Sequence, residues 1–161
     1  MGVLNITDNS FHDGGKYNSF KGSFQHAKEM IQEDADIIDI GAESSKPGAD
    51  PVSSKDQIKK IEPVVDAIRE VSDIPISIDT RSSDVIKKLI KYKINIVNDI
   101  SSLQDIELIS VIKENNLTVS LMHMQGVPKN MQDNPTYDDV VSDVYSYLEK
   151  KVQLCLDSGI D

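Results

Sequence analysis

The sequence has one cysteine, Cys155, no tryptophan, and only three phenylalanines and five tyrosines among 161 residues. A lone cysteine excludes an internal disulfide framework and a cysteine-rich zinc site. No stretch approaches the roughly 18 uninterrupted apolar residues of a membrane-spanning helix. Positive charge is also scarce: 17 Lys and Arg stand against 27 Asp and Glu, a net charge of −10. That balance argues against a nucleic-acid or anionic-membrane surface, since both reward dense positive charge. The opening residues Met1 to Asn5 lack the basic-then-apolar layout of a secretory signal, so cytoplasmic placement is the expectation. At 39% hydrophobic and 27% charged, the composition is that of an ordinary soluble globular chain. The default class is an enzyme or a small-ligand binder.

Short β-branched runs are present and recur. They span Gly2 to Ile6, Ile37 to Ile40, Pro75 to Ile78, Ile94 to Val97 and Thr118 to Met122. Their near-continuous Ile and Val content is what a parallel strand buried on both faces requires. Apolar residues between them recur at helical spacing: Phe20, Phe24, Ala27 and Ile31, then Ile58, Ile61, Val65 and Ile68. Pro63 falls inside the second pattern and predicts a helix start or a kink there. Val85, Ile86, Leu89 and Ile90 give a third helix, and Leu108, Ile109 and Ile112 a fourth. Val141, Val144, Leu148, Val152 and Leu156 give a long fifth. Repeated strand–helix units imply right-handed crossovers and a parallel sheet.

Two closures are open, a doubly wound sheet or a (β/α)8 TIM barrel. The Gly-x-Gly-x-x-Gly turn of the doubly wound dinucleotide folds is missing after the first strand. The barrel is preferred, yet a full one takes about 250 residues. About the first five βα units are expected here, an incomplete barrel or a fragment of one.

Ligands of parallel α/β folds bind at the carboxyl ends of the strands. Those ends carry Asn5 and Thr7; Asp39, Glu43 and Ser44; Asp79, Thr80 and Arg81; Asn98 and Asp99; and His123. Any one of them is a common turn or cap residue. Five in register favour a lined pocket. A carboxylate accepts two donors and a carboxamide offers one donor and one acceptor, so Asp with Asn can read the edge of a flat nitrogen heterocycle. The set is poor in zinc ligands; an oxygen donor such as Asn5 suits magnesium better. His123 alone reads as a structural histidine. The long loops Thr7 to Asn18 and Ala42 to Ser53 exceed ordinary connections and read as lids over the catalytic face. Cys155 reads as a buried small hydrophobe. The paired lysines at 59–60, 87–88 and 150–151 read as solvated helix faces.

At these same positions the chain resembles the dihydropteroate synthases of the folate pathway, the targets of sulfonamides. The matching segments are Met1-Gly-Val-Leu-Asn-Ile-Thr, Ser10-Phe11, Asp13-Gly-Gly15, Asp36-Ile-Ile-Asp-Ile-Gly41, Glu43-Ser44 and Pro47-Gly-Ala49. They continue with Ile76-Ser-Ile-Asp-Thr80, Ile96-Val-Asn-Asp-Ile100, Leu121-Met-His-Met-Gln-Gly126, Met131-Gln132 and Tyr137-Asp-Asp-Val140. The resemblance covers residues 1–161 and implies that they form a partial pterin-binding TIM-barrel domain, the amino-terminal portion of such an enzyme. It implies the joining of 6-hydroxymethyl-7,8-dihydropterin diphosphate to 4-aminobenzoate with release of diphosphate, and a homodimer at full length. By position, Asp79 and Asn98 would bind the pterin edge and Asn5 would help hold Mg2+. Ser45, Lys46 and Pro47 would form the loop that meets diphosphate and aminobenzoate. Asp13 would stabilise a cationic pterin methylene as diphosphate leaves, with Lys46 beside the leaving group, so that catalysis is positioning plus electrostatics.

The chain departs from that pattern at three places. Asp8-Asn9 stand where the family has Pro-Asp, His12 where it has Ser, and Ser45-Lys46 where it has Thr-Arg. A lysine keeps the charge but loses the bidentate fork to phosphate. The family's later Asp-Pro-Gly strand and its cationic lysine, arginine and histidine would lie beyond Asp161, so the chain alone is expected not to turn over. Two other readings compete. A methyltetrahydrofolate-binding methyltransferase barrel would share the Asp and Asn readers but not the two loops. A non-catalytic remnant would have no pterin affinity and would expose apolar faces.

Overall fold

A computed structural model describes residues 1–6, 20–44, 46 and 48–160. Five strands alternate with five helices: β1 (Gly2–Asn5), α1 (Phe20–Gln32), β2 (Ile38–Gly41), α2 (Ser54–Val71), β3 (Ile76–Asp79), α3 (Ser83–Leu89), β4 (Ile96–Asp99), α4 (Ile106–Glu114), β5 (Thr118–Leu121) and α5 (Val140–Ser158). All neighbouring strands pair in parallel, in the spatial order β1-β2-β3-β4-β5. A doubly wound sheet reverses its order at a switch point. This one does not. Each helix packs against the next in sequence, α1 on α2 through to α4 on α5, so the helices form one layer on one face. Sequential parallel strands with a single helical layer are five units of a (β/α)8 barrel.

Side chains alternate across a strand, so register-paired residues share a face. Leu4, Ile40, Ile78, Val97 and Val119 form one row; the first four are buried in the core with Ile61, Val65, Ile68, Ile86, Leu108 and Ile112 from the helices. The opposite face carries two rows. Val3, Asp39, Ser77, Ile96 and Thr118 make the lower one; Asn5, Gly41, Asp79, Asn98 and Ser120 make the upper, nearer the carboxyl ends. The expectation of strands buried on both faces holds at the centre, where β2 is wholly buried. It does not hold at the edges, since β1 and β5 each have a paired neighbour on one side alone.

The helix starts follow capping chemistry. Ser53 accepts from the Asp56 amide, Asp105 from that of Glu107 and Asp139 from that of Ser142, which satisfies amides that have no partner within the helix. Gly159 ends α5 at φ 76°, the left-handed C-terminal position that glycine takes without strain. Pro63 neither starts nor ends α2, which runs unbroken from Ser54 to Val71. Pro63 lies on the exposed side of the helix, where water can serve the carbonyl it leaves unpaired.

At the amino-terminal end of the sheet, Arg69 knits α2 to the next unit. Its guanidinium donates to the carbonyls of Tyr92 (2.8 Å), Ser72 (3.3 Å), Ile74 (2.6 Å) and Lys93 (3.1 Å). The fifth helical pattern is helix α5, and much of its apolar stripe is open: Val141 is 74% exposed, Val152 50% and Leu156 55%. Helix α5 packs on α4, so one narrow side is covered, and Cys155 is its buried residue, as expected for a small hydrophobe.

Candidate functional site

The upper row places Asn5, Asp79 and Asn98 on one face at the carboxyl ends of β1, β3 and β4, with Asp79 and Asn98 register partners. The sequence had pointed to all three, and the structure brings them together. Gly41 lies between Asn5 and Asp79 in this row, and a Cβ built on it would stand 3.1 Å from Asp79 Cβ and 3.2 Å from Asp79 Oδ2. The missing side chain is the space that the Asp79 carboxyl uses.

That carboxyl sits in an unfavourable setting for charge. Burial, then the negative charges of Asp39, Glu43 and Asp99, outweigh the nearby Arg81 and raise its pKa from 3.8 to about 7. A carboxyl poised near neutrality in a polar recess is the sort of group that functional sites assemble.

Around it the other acids are committed. Glu43 is buried and bound two-pronged by Arg81, with Nη2 to Oε1 at 2.6 Å and Nε to Oε2 at 3.2 Å. It also accepts from the Val52 amide at 3.2 Å, so one residue ties the β2 end, the β3 end and the start of α2. Asp39, in the lower row, accepts from Asn98 Nδ2 at 3.2 Å.

Two polar strand-end residues are not in the pocket. Asp99 falls in register with Leu121, one residue past Asn98 and hence on the opposite face. It accepts from Ser101 N and Oγ (2.7 Å each) and Leu103 N (2.7 Å), which shapes the turn after β4. Thr80 donates to Gln57 Oε1 at 2.8 Å and bolts β3 to α2. Both are structural. The His123 ring lies 4.9 Å from that of Tyr147 and 5.8 Å from that of Tyr137.

Of the two long loops, the first falls within residues 7–19, so Asp13 lies outside the described residues; so do Ser45 and Pro47. Lys46 is described and exposed; its amide donates to Ser44 Oγ (3.3 Å), and its carbonyl accepts from the Ala49 amide (3.1 Å). This second loop reaches the one after β5. Gly48 N donates to Pro128 O at 2.9 Å, and Lys129 Nζ pairs with Asp50 Oδ1 at 2.9 Å. Strands β2 and β5 are three positions apart, so the two loops meet across the carboxyl ends of β3 and β4. Gly48 at φ 79° permits that turn. No residue pattern had indicated this clasp.

Among the described residues no group of three or more His, Cys, Asp or Glu could hold a metal ion. Asn5 is exposed at the end of β1 and offers a single neutral oxygen. Magnesium usually keeps several waters and takes other ligands from substrate phosphates, so a lone amide oxygen on the pocket face is compatible with it. No described helix is long and apolar enough to cross a membrane.

Comparison with known proteins agrees with this geometry. The family profile of pterin binding enzymes matches residues 1–161. The dihydropteroate synthase of Escherichia coli K12 is 43% identical over 160 residues, covering 99% of this chain and 57% of the relative. The crystal structure of the Yersinia pestis dihydropteroate synthase in a sulfonamide complex superposes with a TM-score of 0.93 at 40% identity, covering 100% of this chain and 58% of that one. The Xanthomonas albilineans enzyme, solved with 4-aminobenzoic acid, gives a TM-score of 0.88 at 31% identity, over 100% and 57%. The chain thus spans a little over half the length of the relatives it matches. A family match over the full 161 residues, on a fold that gathers Asn5, Asp79 and Asn98 in one row, establishes that this chain belongs to the pterin-binding enzyme family.

Proposed function

We propose that this chain is the pterin-reading part of a dihydropteroate synthase, the transferase that joins 6-hydroxymethyl-7,8-dihydropterin diphosphate to 4-aminobenzoate. The observation that carries the reading is the adjacent pair Asp79 and Asn98, buried enough to discriminate and open on one side. A carboxylate and a carboxamide side by side match a ring N–H beside an exocyclic amine. An analogue lacking one of those groups would leave a buried polar atom unpaired, which is how such sites gain selectivity.

With the pterin held by this pair, its methylene and diphosphate extend toward the mouth, where the 44–50 loop lies. Lys46 supplies a cation for the leaving diphosphate, and Ser45 and Pro47, its neighbours in sequence, would contact 4-aminobenzoate. Asp13, on the first loop, supplies a negative charge to a methylene that becomes cationic as the C–O bond breaks. Diphosphate leaves with the bonding pair; the arylamine nitrogen then attacks and loses a proton. No protein nucleophile is required. Magnesium held with the help of Asn5 would neutralise diphosphate charge.

The domain of residues 1–161 contributes the acidic and amide side of the pocket. Its net charge of −10 leaves the cationic groups that diphosphate needs to the rest of a closed barrel. On this reading the 161 residues alone do not turn over, the complete enzyme is cytoplasmic, and it forms a homodimer.

Calorimetry with 6-hydroxymethylpterin tests the reading. Saturable binding that Asp79→Ala abolishes is the expected result, and no heat with either protein would refute it. Replacing Lys46 by Arg restores a two-pronged phosphate contact, so the turnover of the complete enzyme should rise; an unchanged rate would show that Lys46 does not touch diphosphate.

A further inference from the structure

One buried acid on the open face has no part in the reading above. Asp39 is 5% exposed and stands in the middle of the apolar strand Ile38-Asp39-Ile40-Gly41. Its position in the lower row is one layer beneath Gly41 and Asp79. Its Oδ2 accepts from Asn98 Nδ2 at 3.2 Å, a contact that crosses β3 between two strands that do not pair. Among the described residues its buried Oδ1 has no hydrogen-bond partner, and neither has the Oγ of Ser77, its register neighbour on β3.

An unpaired buried carboxylate oxygen costs stability, and an Ile or Val at this position would fill the strand without that cost. A group retained against such a cost needs a task, and the geometry defines one. An ionised carboxylate accepts only, so it must face the nitrogen of the Asn98 carboxamide and never the oxygen. With the nitrogen held from below by Asp39, the carboxamide oxygen is turned toward the open side, next to the Asp79 carboxyl. Neutral Asn98 could otherwise present either end.

We propose that Asp39 is a positioning residue for the pterin site: it fixes the polarity of the Asn98 carboxamide, so that the pocket presents two adjacent acceptors and selects heterocycles bearing two adjacent donors. The inference rests on the pterin reading of Asp79 and Asn98 and adds the source of the site's selectivity. It places the discrimination between an amino and an oxo substituent on a residue that does not touch the ligand. Asn at position 39 has the same shape, yet it can offer either a donor or an acceptor. It would release Asn98 to turn over and meet an oxo group.

The test is calorimetry on the full-length protein with two ligands, 6-hydroxymethylpterin and its analogue with oxygen in place of the 2-amino group. The parent should prefer the amino compound by at least a hundredfold. Asp39→Asn should cut that preference at least tenfold, mainly by tightening the oxo analogue, while the KM for 4-aminobenzoate stays unchanged. A loss confined to stability would weaken both ligands equally. A preference unchanged in a variant that still binds pterin would overturn the inference and leave the pterin reading intact. A parent that binds neither ligand would overturn both. Should Asp39→Asn fail to fold, the side-chain amide of Asn98 in the parent decides: by NMR one of its two protons should be protected from solvent exchange before ligand is added. Two freely exchanging protons would refute the inference.

Discussion

Replacing Asp79 by Asn should stabilise the protein while destroying its pterin affinity, and the stabilisation should depend on pH in a defined direction. The folded chain holds the Asp79 carboxyl near 7 through burial and the charges of Asp39, Glu43 and Asp99, opposed by Arg81. Unfolded, it titrates near 3.8. Between those values the folded state binds more protons than the unfolded one, so stability falls as pH rises through the window. Above about pH 7 the whole penalty is present; below about pH 4 it is gone. At about 1.4 kcal/mol per pH unit, the interval sets a ceiling of about 4 kcal/mol. Relaxation and water access around a partly open group reduce this, and a gain of about 2 kcal/mol is the working expectation. An amide of the same shape carries no charge and escapes the penalty. Urea denaturation of parent and Asp79→Asn at pH 8 and pH 4.5 measures it. The variant should be more stable by about 2 kcal/mol at pH 8 and nearly equal at pH 4.5. Equal stability at pH 8, or the same gain at both pH values, would refute the charge argument. A site residue that costs stability is expected where function has priority over the fold.

Three further outcomes follow from the geometry. Because an ionised Asp79 accepts two donors, pterin affinity should climb between pH 5.5 and 7.5 and level off above, as followed by calorimetry; a flat profile would show that the charged form is not the binding form. Gly41→Ala forces a methyl within about 3 Å of the Asp79 carboxyl and should weaken pterin binding at least tenfold; melting within about 1 kcal/mol of the parent would mark the effect as local. Arg69→Met removes four donations to carbonyls at the far end of the sheet and should cost about 3 kcal/mol with pterin affinity unchanged. A variant that melts like the parent would show those carbonyls to be equally well served by water.

The five strands were legible because a parallel strand under a helical layer needs Ile and Val at nearly every position, and each run in the sequence became a strand. Where those strands stopped was less legible. The structure carries Asn5, Asp79 and Asn98-Asp99 as the last strand residues, so polar groups that looked like loop starts are still alternating across the sheet. That alternation explains why Asp99 was grouped wrongly with Asn98: a shift of one residue reverses the face, and register is not written in a single strand. Asp39 was legible as a site residue, since a charge inside an Ile-rich strand conflicts with burial unless it serves a site, but its contact with Asn98, 59 positions away, was not. The Glu43–Arg81 pair was invisible, because it joins residues 38 positions apart. The spacing on α5 showed which side of the helix is apolar, and not whether a neighbour stands against it.

On the proposed function, the Asp79 and Asn98 row reads a pterin for condensation with an arylamine. Product formation from 6-hydroxymethyl-7,8-dihydropterin diphosphate and 4-aminobenzoate, followed in this chain extended to the length of its relatives, tests it most directly. The expected result is 7,8-dihydropteroate in the presence of both substrates, none with either alone, and none from the Asp79→Ala variant. Product formed at an undiminished rate by Asp79→Ala, or tight pterin binding with no product from the parent, would contradict it.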